Sequence, residues 1–267
     1  MKITCVQFNP VWQDVAANIT NLKRQFANQI AQEKPDVVVL PELFHCGFSM
    51  DTSTVVESRD GELYQALSQL AQTYAVTLIA GLALKTQEPS SITLAFEAAL
   101  PRSSNVALVF DPSGNEQACY IKNYAFSMSG EHLHYQQGNQ QVVFYVGDTP
   151  CSVFICYDLR FPELFRKVTK AVEVIFVIAN WPESRQSHWQ ALLTARAIEN
   201  QCFVVGVNRI GQDGYGLDYA GGSMVVNPLG DTMCKLSRAC EYHQIEVDPT
   251  EVQALRARYP FLKDMKR

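Results

Sequence analysis

Short runs of β-branched and other apolar residues alternate along the chain with longer stretches whose apolar positions recur every three to four residues. The first pattern fits strands and the second fits amphipathic helices. Residues 3–8 are therefore expected as a strand, 14–33 as a helix, 36–40 as a strand, 62–74 as a helix and 76–80 as a strand. The alternation then lapses. Residues 106–110, 117–121, 142–146 and 151–155 all carry strand patterns, and Asp111-Pro112-Ser113-Gly114 supplies a turn between the first two. It resumes with a helix over 162–169, a strand over 174–178, a helix over 183–200 and a strand over 203–207. Three last strands, near 222–227, 232–236 and 242–247, precede a polar tail, 251–267, expected to be solvated or to touch another subunit. Residues 90–104 follow neither period and are expected as a surface excursion.

This is an α/β pattern. Helices on only one face of a mixed sheet leave the other face apolar, and two such sheets packed together would cover both. No Pro/Gly/Ser-rich linker separates independent halves, so residues 1–267 are expected to form one domain.

Composition narrows the partners. With 22 Lys and Arg against 27 Asp and Glu, the net charge is −5 and no strongly basic block precedes the tail, so neither nucleic acid nor an anionic membrane is expected to bind. No apolar stretch approaches the ~20 residues of a membrane-spanning helix. The amino-terminal residues read as a strand without a basic leader or a cleavage site, so a cytoplasmic protein is expected. The eight cysteines are spread along the chain, several of them in strand-like runs, and fit reduced, buried thiols better than a disulfide framework. There is no Cys-x-x-Cys pair, and the five histidines do not fall at zinc-ligand spacings, so no metal is expected.

Three polar residues stand at the ends of strand-like runs. Glu42 follows Asp36-Val37-Val38-Val39-Leu40-Pro41, Lys122 follows Glu116-Gln117-Ala118-Cys119-Tyr120-Ile121, and Cys156 follows Cys151-Ser152-Val153-Phe154-Ile155. Alone, the first two are equally ordinary loop residues, and Cys156 could be an inert buried thiol. Its place where a strand gives way to a helix instead favours a thiolate held near backbone N–H groups. Together they offer a nucleophile, a base and a cation, the set that acyl transfer from an amide requires.

These residues resemble the nitrilase (carbon-nitrogen hydrolase) superfamily. Pro41-Glu42 is similar to its glutamate motif, Lys122 to its lysine motif, and Cys156-Tyr157-Asp158-Leu159-Arg160-Phe161-Pro162-Glu163 to its cysteine motif. Glu131-His132-Leu133-His134-Tyr135-Gln136-Gln137-Gly138 resembles the segment bearing the second active-site glutamate, a role the resemblance gives to Glu131. The run from Trp181-Pro182-Glu183 to Asn200-Gln201, with Gly206-Val207-Asn208-Arg209 and Gly222-Ser223-Met224, resembles the omega-amidase branch. The resemblance implies a four-layer α-β-β-α sandwich, homodimers or larger homo-oligomers, no cofactor, and a small-molecule amide substrate. It also implies hydrolysis through a cysteine thioester, with short 2-oxo dicarboxylate monoamides such as 2-oxoglutaramate or 2-oxosuccinamate as substrates. The Tyr157 N–H would assist the oxyanion, and Arg160 and Arg185 would hold the substrate carboxylate or serve as ion-pair partners. Trp181 would line the pocket or pack in the core. Arg196 and Glu199, three apart, are expected as an intrahelical ion pair, and His188 as a hydrogen-bonding residue.

Two departures stand out. Tyr124 occupies the position where the family usually has His, and the segment between Gly81 and Val106 is longer than usual. A papain-like protease would need a histidine partner for Cys156, and no histidine has a recognisable setting for it. Aliphatic amidase, carbamoyl-amide hydrolase or nitrilase activity, and a non-catalytic metabolite-binding protein on the same fold, are the alternatives.

Overall fold

The alternating strands form two six-stranded mixed sheets, and the computed structural model describes residues 1–85 and 103–265 of the chain. The first sheet contains β1 (Lys2–Val6), β2 (Val37–Val39), β3 (Thr77–Lys85), β4 (Ser103–Phe110), β5 (Glu116–Ile121) and, from the far end of the chain, β14 (Tyr242–Glu246). Their order is β14-β1-β2-β3-β4-β5, with β1, β2 and β3 parallel and the other pairings antiparallel. The second sheet contains β6 (Phe144–Val146), β7 (Thr149–Ile155), β8 (Val174–Ala179), β9 (Phe203–Asn208), β12 (Met224–Val226) and β13 (Thr232–Lys235), in the order β13-β12-β9-β8-β7-β6. Its central β7, β8 and β9 are parallel. Between β9 and β12 along the chain, two short strands, β10 (Ile210–Gln212) and β11 (Asp218–Ala220), form their own antiparallel hairpin.

Side-chain alternation explains why the sheets stack. Ile3, Cys5, Val37, Val39, Ile79, Ala107 and Val109 join one core with the second sheet, whereas the intervening Val38, Leu40, Leu78, Ala80, Val106 and Leu108 turn to the opposite face. That outer face is covered by α1 (Val15–Gln25) and α2 (Glu62–Tyr74). In α2 the buried residues are Leu63, Ala66, Leu67, Leu70 and Ala71, one stripe at helical spacing. The outer face of the second sheet is covered by α3 (Pro162–Val168) and α4 (Gln186–Asn200), whose Trp189, Leu193 and Ala197 enter the same continuous core. The result is the four-layer α-β-β-α sandwich.

The expected helix over 14–33 is interrupted by a π-helical turn, Phe26–Ile30, before its last turn at Ala31–Glu33. Strands β3 and β4 run further than their apolar cores suggest, because Lys85 pairs with Ser103 and Leu84 with Ser104. The expected excursion over 90–104 therefore ends at β4 for Ser103 and Ser104, and its other residues lie outside the described ones, as does most of the long segment after Gly81. The tail, expected to be solvated or to touch another subunit, includes α5 (Thr250–Arg258), anchored by the buried Val252 and by Arg256, whose guanidinium donates to the carbonyls of Thr169, Val172, Asn200 and Gln201. The Thr169 carbonyl closes α3 and those of Asn200 and Gln201 close α4, so one cation caps two helix ends. Among the described residues no helix is long and apolar enough to cross a membrane.

Candidate active site

Glu42, Lys122, Glu131 and Cys156 come from four separate stretches of chain and converge between the two sheets. Glu42 lies three residues beyond β2, where its backbone passes over Gly81 of β3. A Cβ at position 81 would sit 2.5 Å from the Glu42 Cα, so only glycine leaves room. Lys122 follows β5, and its N–H donates to the Asn105 carbonyl of β4 at 3.0 Å. Glu131 opens a short 3-10 turn, Glu131–Leu133. Cys156 follows β7 directly and adopts φ 46°, a left-handed conformation costly for a residue with a Cβ, which turns the thiol out of the strand direction.

The charged groups share one hydrogen-bond network. The Lys122 Nζ donates to the Glu42 Oε1 at 2.7 Å and to both Glu131 carboxylate oxygens at 2.9 Å, with all three side chains essentially withdrawn from solvent. Burial alone would pull the lysine pKa down, but the Glu131 and Glu42 carboxylates outweigh it and hold the ammonium charged above its ordinary range. Asn105 Nδ2 bridges the two carboxylates, donating to Glu42 Oε1 at 2.8 Å and Glu131 Oε1 at 2.9 Å. The other Glu42 oxygen accepts the Asn180 backbone N–H at 2.8 Å, and Glu131 Oε2 accepts the Phe126 N–H at 2.6 Å. Every partner named here is a donor, so both carboxylates serve the network as hydrogen-bond acceptors.

The Cys156 sulfur lies 3.7 Å from the Asn180 carbonyl oxygen. Burial pushes its pKa well up, Glu42 and Glu131 push it further, and Lys122 opposes them. The turn after Cys156 is a five-residue 3-10 segment, and its N–H groups do not offset desolvation beside two carboxylates. A protonated thiol needs a base at the moment of attack.

Cys156 opens onto a cavity of about 470 Å³, lined among others by Phe48, Met50, Phe126, Tyr157, Asn180 and Trp181. Arg160 and Arg185 also line it. Arg160 lies 4.7 Å from the Trp181 ring and within 3.4 Å of the His188 Nδ1, and Arg185 lies 5.7 Å from the Phe126 ring. Among the described residues, neither guanidinium has a carboxylate within 4.0 Å. Trp181 is both buried and pocket-lining, its indole N–H donating to the Arg185 carbonyl at 2.8 Å. Arg196 and Glu199 form the expected pair at 2.9 Å. Tyr124 stacks on Phe161 at 3.7 Å and donates to Glu163 at 3.1 Å, so the residue at the usual histidine position leaves the three contacts of Lys122 intact. Among the described residues no group of three or more His, Cys, Asp or Glu could hold a metal ion.

Sequence reasoning missed several residues here. Asn180 was legible in principle, as a polar residue directly after an apolar strand, the same kind of signal that marked Glu42, whereas Asn105 precedes the apolar run of its strand. The β10–β11 hairpin supplies Asp213, Tyr215, Leu217 and Tyr219 to the cavity wall, and its strands are three residues each, too short to register as a period.

The family model for carbon-nitrogen hydrolases matches residues 2–257. The omega-amidase YafV of Escherichia coli (strain K12) is 36% identical over 269 residues, covering 99% of this chain and 96% of that protein. The 2-oxoglutaramate amidase of Bacillus subtilis (strain 168) is 31% identical, covering 99% of this chain and 97% of that one. A CN-hydrolase superfamily protein of Xanthomonas campestris, solved with an arsenic adduct in its active site, superposes with a TM-score of 0.90 at 30% identity, covering 100% of this chain and 97% of that one. By this end-to-end likeness the chain belongs to the carbon-nitrogen hydrolase family, and it is an amidohydrolase of the nitrilase superfamily acting on carbon-nitrogen bonds other than peptide bonds.

Proposed function

We propose that the protein is an omega-amidase that hydrolyses the terminal amide of a short 2-oxo dicarboxylate, with Cys156 as nucleophile, Glu42 as general base, Lys122 as oxyanion stabiliser and Glu131 as the second carboxylate. Cys156 attacks the amide carbonyl as Glu42 takes the thiol proton. The tetrahedral oxyanion is stabilised by the Lys122 ammonium and the Tyr157 N–H. The carbon-nitrogen bond breaks as Glu42 passes its proton to the leaving nitrogen, releasing ammonia and leaving a thioester. Water then gives a proton to Glu42 and its oxygen to the acyl carbon, with Glu131 helping to place it, and the carbon-sulfur bond breaks as Glu42 returns that proton to the Cys156 sulfur, freeing the acid and restoring the thiol.

The observation that carries the substrate assignment is the pair Arg160 and Arg185 in the wall of the cavity onto which Cys156 opens, without carboxylate partners among the described residues. Buried or half-buried guanidinium groups are ordinarily paired, and an anionic substrate would supply the partner. The names of the relatives, an omega-amidase and a 2-oxoglutaramate amidase, support the same class. The apolar lining, including Phe48, Met50 and Leu217, favours a second reading in which neutral aliphatic amides are turned over.

Ammonia release across 2-oxoglutaramate, 2-oxosuccinamate, neutral aliphatic amides and nitriles separates the two. The oxo-acid amides are expected to show the highest kcat/KM, and Arg160→Met and Arg185→Met to raise KM for them while leaving neutral amides unchanged. A panel led by neutral amides, with both arginine variants indifferent, would overturn the assignment.

A further inference from the structure

One buried carboxylate beside the site has no part in the chemistry above. Asp158, two residues after Cys156, is fully buried, and its two oxygens collect three donors. Oδ2 accepts the Tyr120 hydroxyl at 2.8 Å and the Ile155 N–H at 3.1 Å. Oδ1 accepts the Tyr124 N–H at 2.8 Å. Tyr120 and Tyr124 stand two residues before and two residues after Lys122, and Ile155 immediately precedes Cys156. β5, which delivers Lys122, belongs to the first sheet, and β7, which delivers Cys156, belongs to the second. A single carboxylate thus grips the chain on both sides of the ammonium and at the approach to the thiol, across the interface of the two sheets.

The chemistry of this junction points to positioning rather than bulk stability. Desolvating a carboxylate is costly, and well-packed apolar residues of similar size generally stabilise a core at least as well. The Asp158 pKa registers that cost, since burial pushes it up to about 7 against the opposing influence of Lys122 and the three donors. Two of those donors are backbone N–H groups that cannot reverse their role. Cys156, meanwhile, holds its left-handed φ of 46° next to the bonded Ile155, a conformation that reverts unless its neighbours fix it.

We propose that Asp158 is a positioning residue that sets the Lys122 ammonium against the Cys156 thiol, by tying the strand and loop flanking the lysine to the last residue before the nucleophile. This rests on the assignment of Lys122 and Cys156 as oxyanion stabiliser and nucleophile. Asparagine at 158 is nearly isosteric but has one acceptor oxygen and one NH2 group, so it must oppose its own N–H to that of Tyr124 or of Ile155. The two anchor points can no longer both be satisfied, and the reacting groups move apart.

The test compares wild type, Cys156→Ala, Asp158→Asn and Tyr120→Phe, measuring ammonia release per active site titrated by Cys156 alkylation (per folded protein for Cys156→Ala, which lacks the thiol), with kcat and KM determined separately and melting temperature recorded. Asp158→Asn is expected to lower kcat by about 100-fold, the scale of an ångström-sized misplacement, with KM within about threefold of wild type. Tyr120→Phe, which deletes one hydroxyl and leaves both backbone bonds, is expected to lower kcat about tenfold at unchanged KM. If Asp158→Asn does not fold, Tyr120→Phe decides. A merely structural carboxylate would lower melting temperature and the titratable fraction but not kcat per site. An inert Cys156→Ala beside wild-type kcat per site in Tyr120→Phe, and in Asp158→Asn where it folds, overturns this inference alone. Wild-type turnover by Cys156→Ala overturns the nucleophile assignment and this inference with it.

Discussion

Replacing Gly81 by alanine tests how tightly the fold holds the proposed base. Gly81 lies in β3 directly beneath the chain carrying Glu42, and its carbonyl accepts the Phe44 N–H at 3.1 Å. An added Cβ would sit 2.5 Å from the Glu42 Cα, 2.6 Å from the Pro41 carbonyl oxygen and 2.8 Å from the Ile178 Cδ1. The first of these falls about 0.9 Å short of the 3.4 Å at which ordinary contact begins. Two of the three neighbours are backbone atoms that cannot rotate aside. Gly81 does not occupy the left-handed region, so alanine meets no conformational penalty and the cost is one of space. Overpacking of this kind costs about 1–3 kcal/mol, and the backbone neighbours place it toward the upper end. Relief by moving the Glu42 segment would shift the carboxylate by a comparable distance, enough to lower kcat by about 100-fold. Urea unfolding and steady-state ammonia release measure the two effects. Gly147→Ala is the control: nothing lies within 4 Å of its added Cβ, its φ is 57°, and only a backbone cost of about 1 kcal/mol with unchanged kcat is expected. Gly81→Ala within about 0.5 kcal/mol of wild type, at full kcat, would refute the steric reasoning.

Other consequences follow from the buried charges. Lys122→Met removes the cation between Glu42 and Glu131 and is expected to cost about 3–5 kcal/mol in urea unfolding at neutral pH, with loss of turnover; a stable, active variant would contradict the network. His45 is fully buried, with Nε2 2.9 Å from the Val55 carbonyl oxygen, and burial lowers its pKa to about 4. Its unfolded value is about 6.5, so the unfolded chain binds the proton first. The contribution is complete above pH 6.5 and shrinks as pH falls toward 4, by roughly 2–3 kcal/mol. Urea unfolding at pH 7.5 and 4.5 should show a smaller acid loss in His45→Gln, and an identical loss would refute the assignment. Because the Cys156 pKa is raised, iodoacetamide alkylation of the free enzyme should accelerate with each step in pH up to 9, and a plateau near pH 7 would show a thiolate that the burial and carboxylates should prevent.

Much of this architecture could be read from the chain because the strands at its centre are buried on both faces. Val37-Val38-Val39 and Val153-Phe154-Ile155 are continuous apolar runs, and a residue able to do chemistry just after such a run is conspicuous, which is how Glu42 and Cys156 came forward. Lys122 was legible only as one member of a set, since a lysine after the mixed strand β5 is unremarkable by itself. Asn105 was hidden because Ser103-Ser104-Asn105 has no apolar period, although pairing with Lys85, Leu84 and Ala83 makes all three part of β4. The upward shift of the Cys156 pKa was out of reach, because it depends on desolvation and on two carboxylates distant in sequence rather than on the local turn. The helical tail escaped notice for a related reason: Arg256 looks like a solvated cation until the carbonyl ends of α3 and α4 are placed beside it.

The central claim, that the Cys156 sulfur carries the acyl group while Glu42 and Lys122 serve it, is tested most directly by the kcat of Cys156→Ala on the best amide of the substrate panel, measured on protein shown to be folded by its melting curve. Ammonia release is expected to fall to background, a loss of at least about 10⁴-fold. Turnover at even a tenth of the wild-type rate would mean that another group attacks the amide.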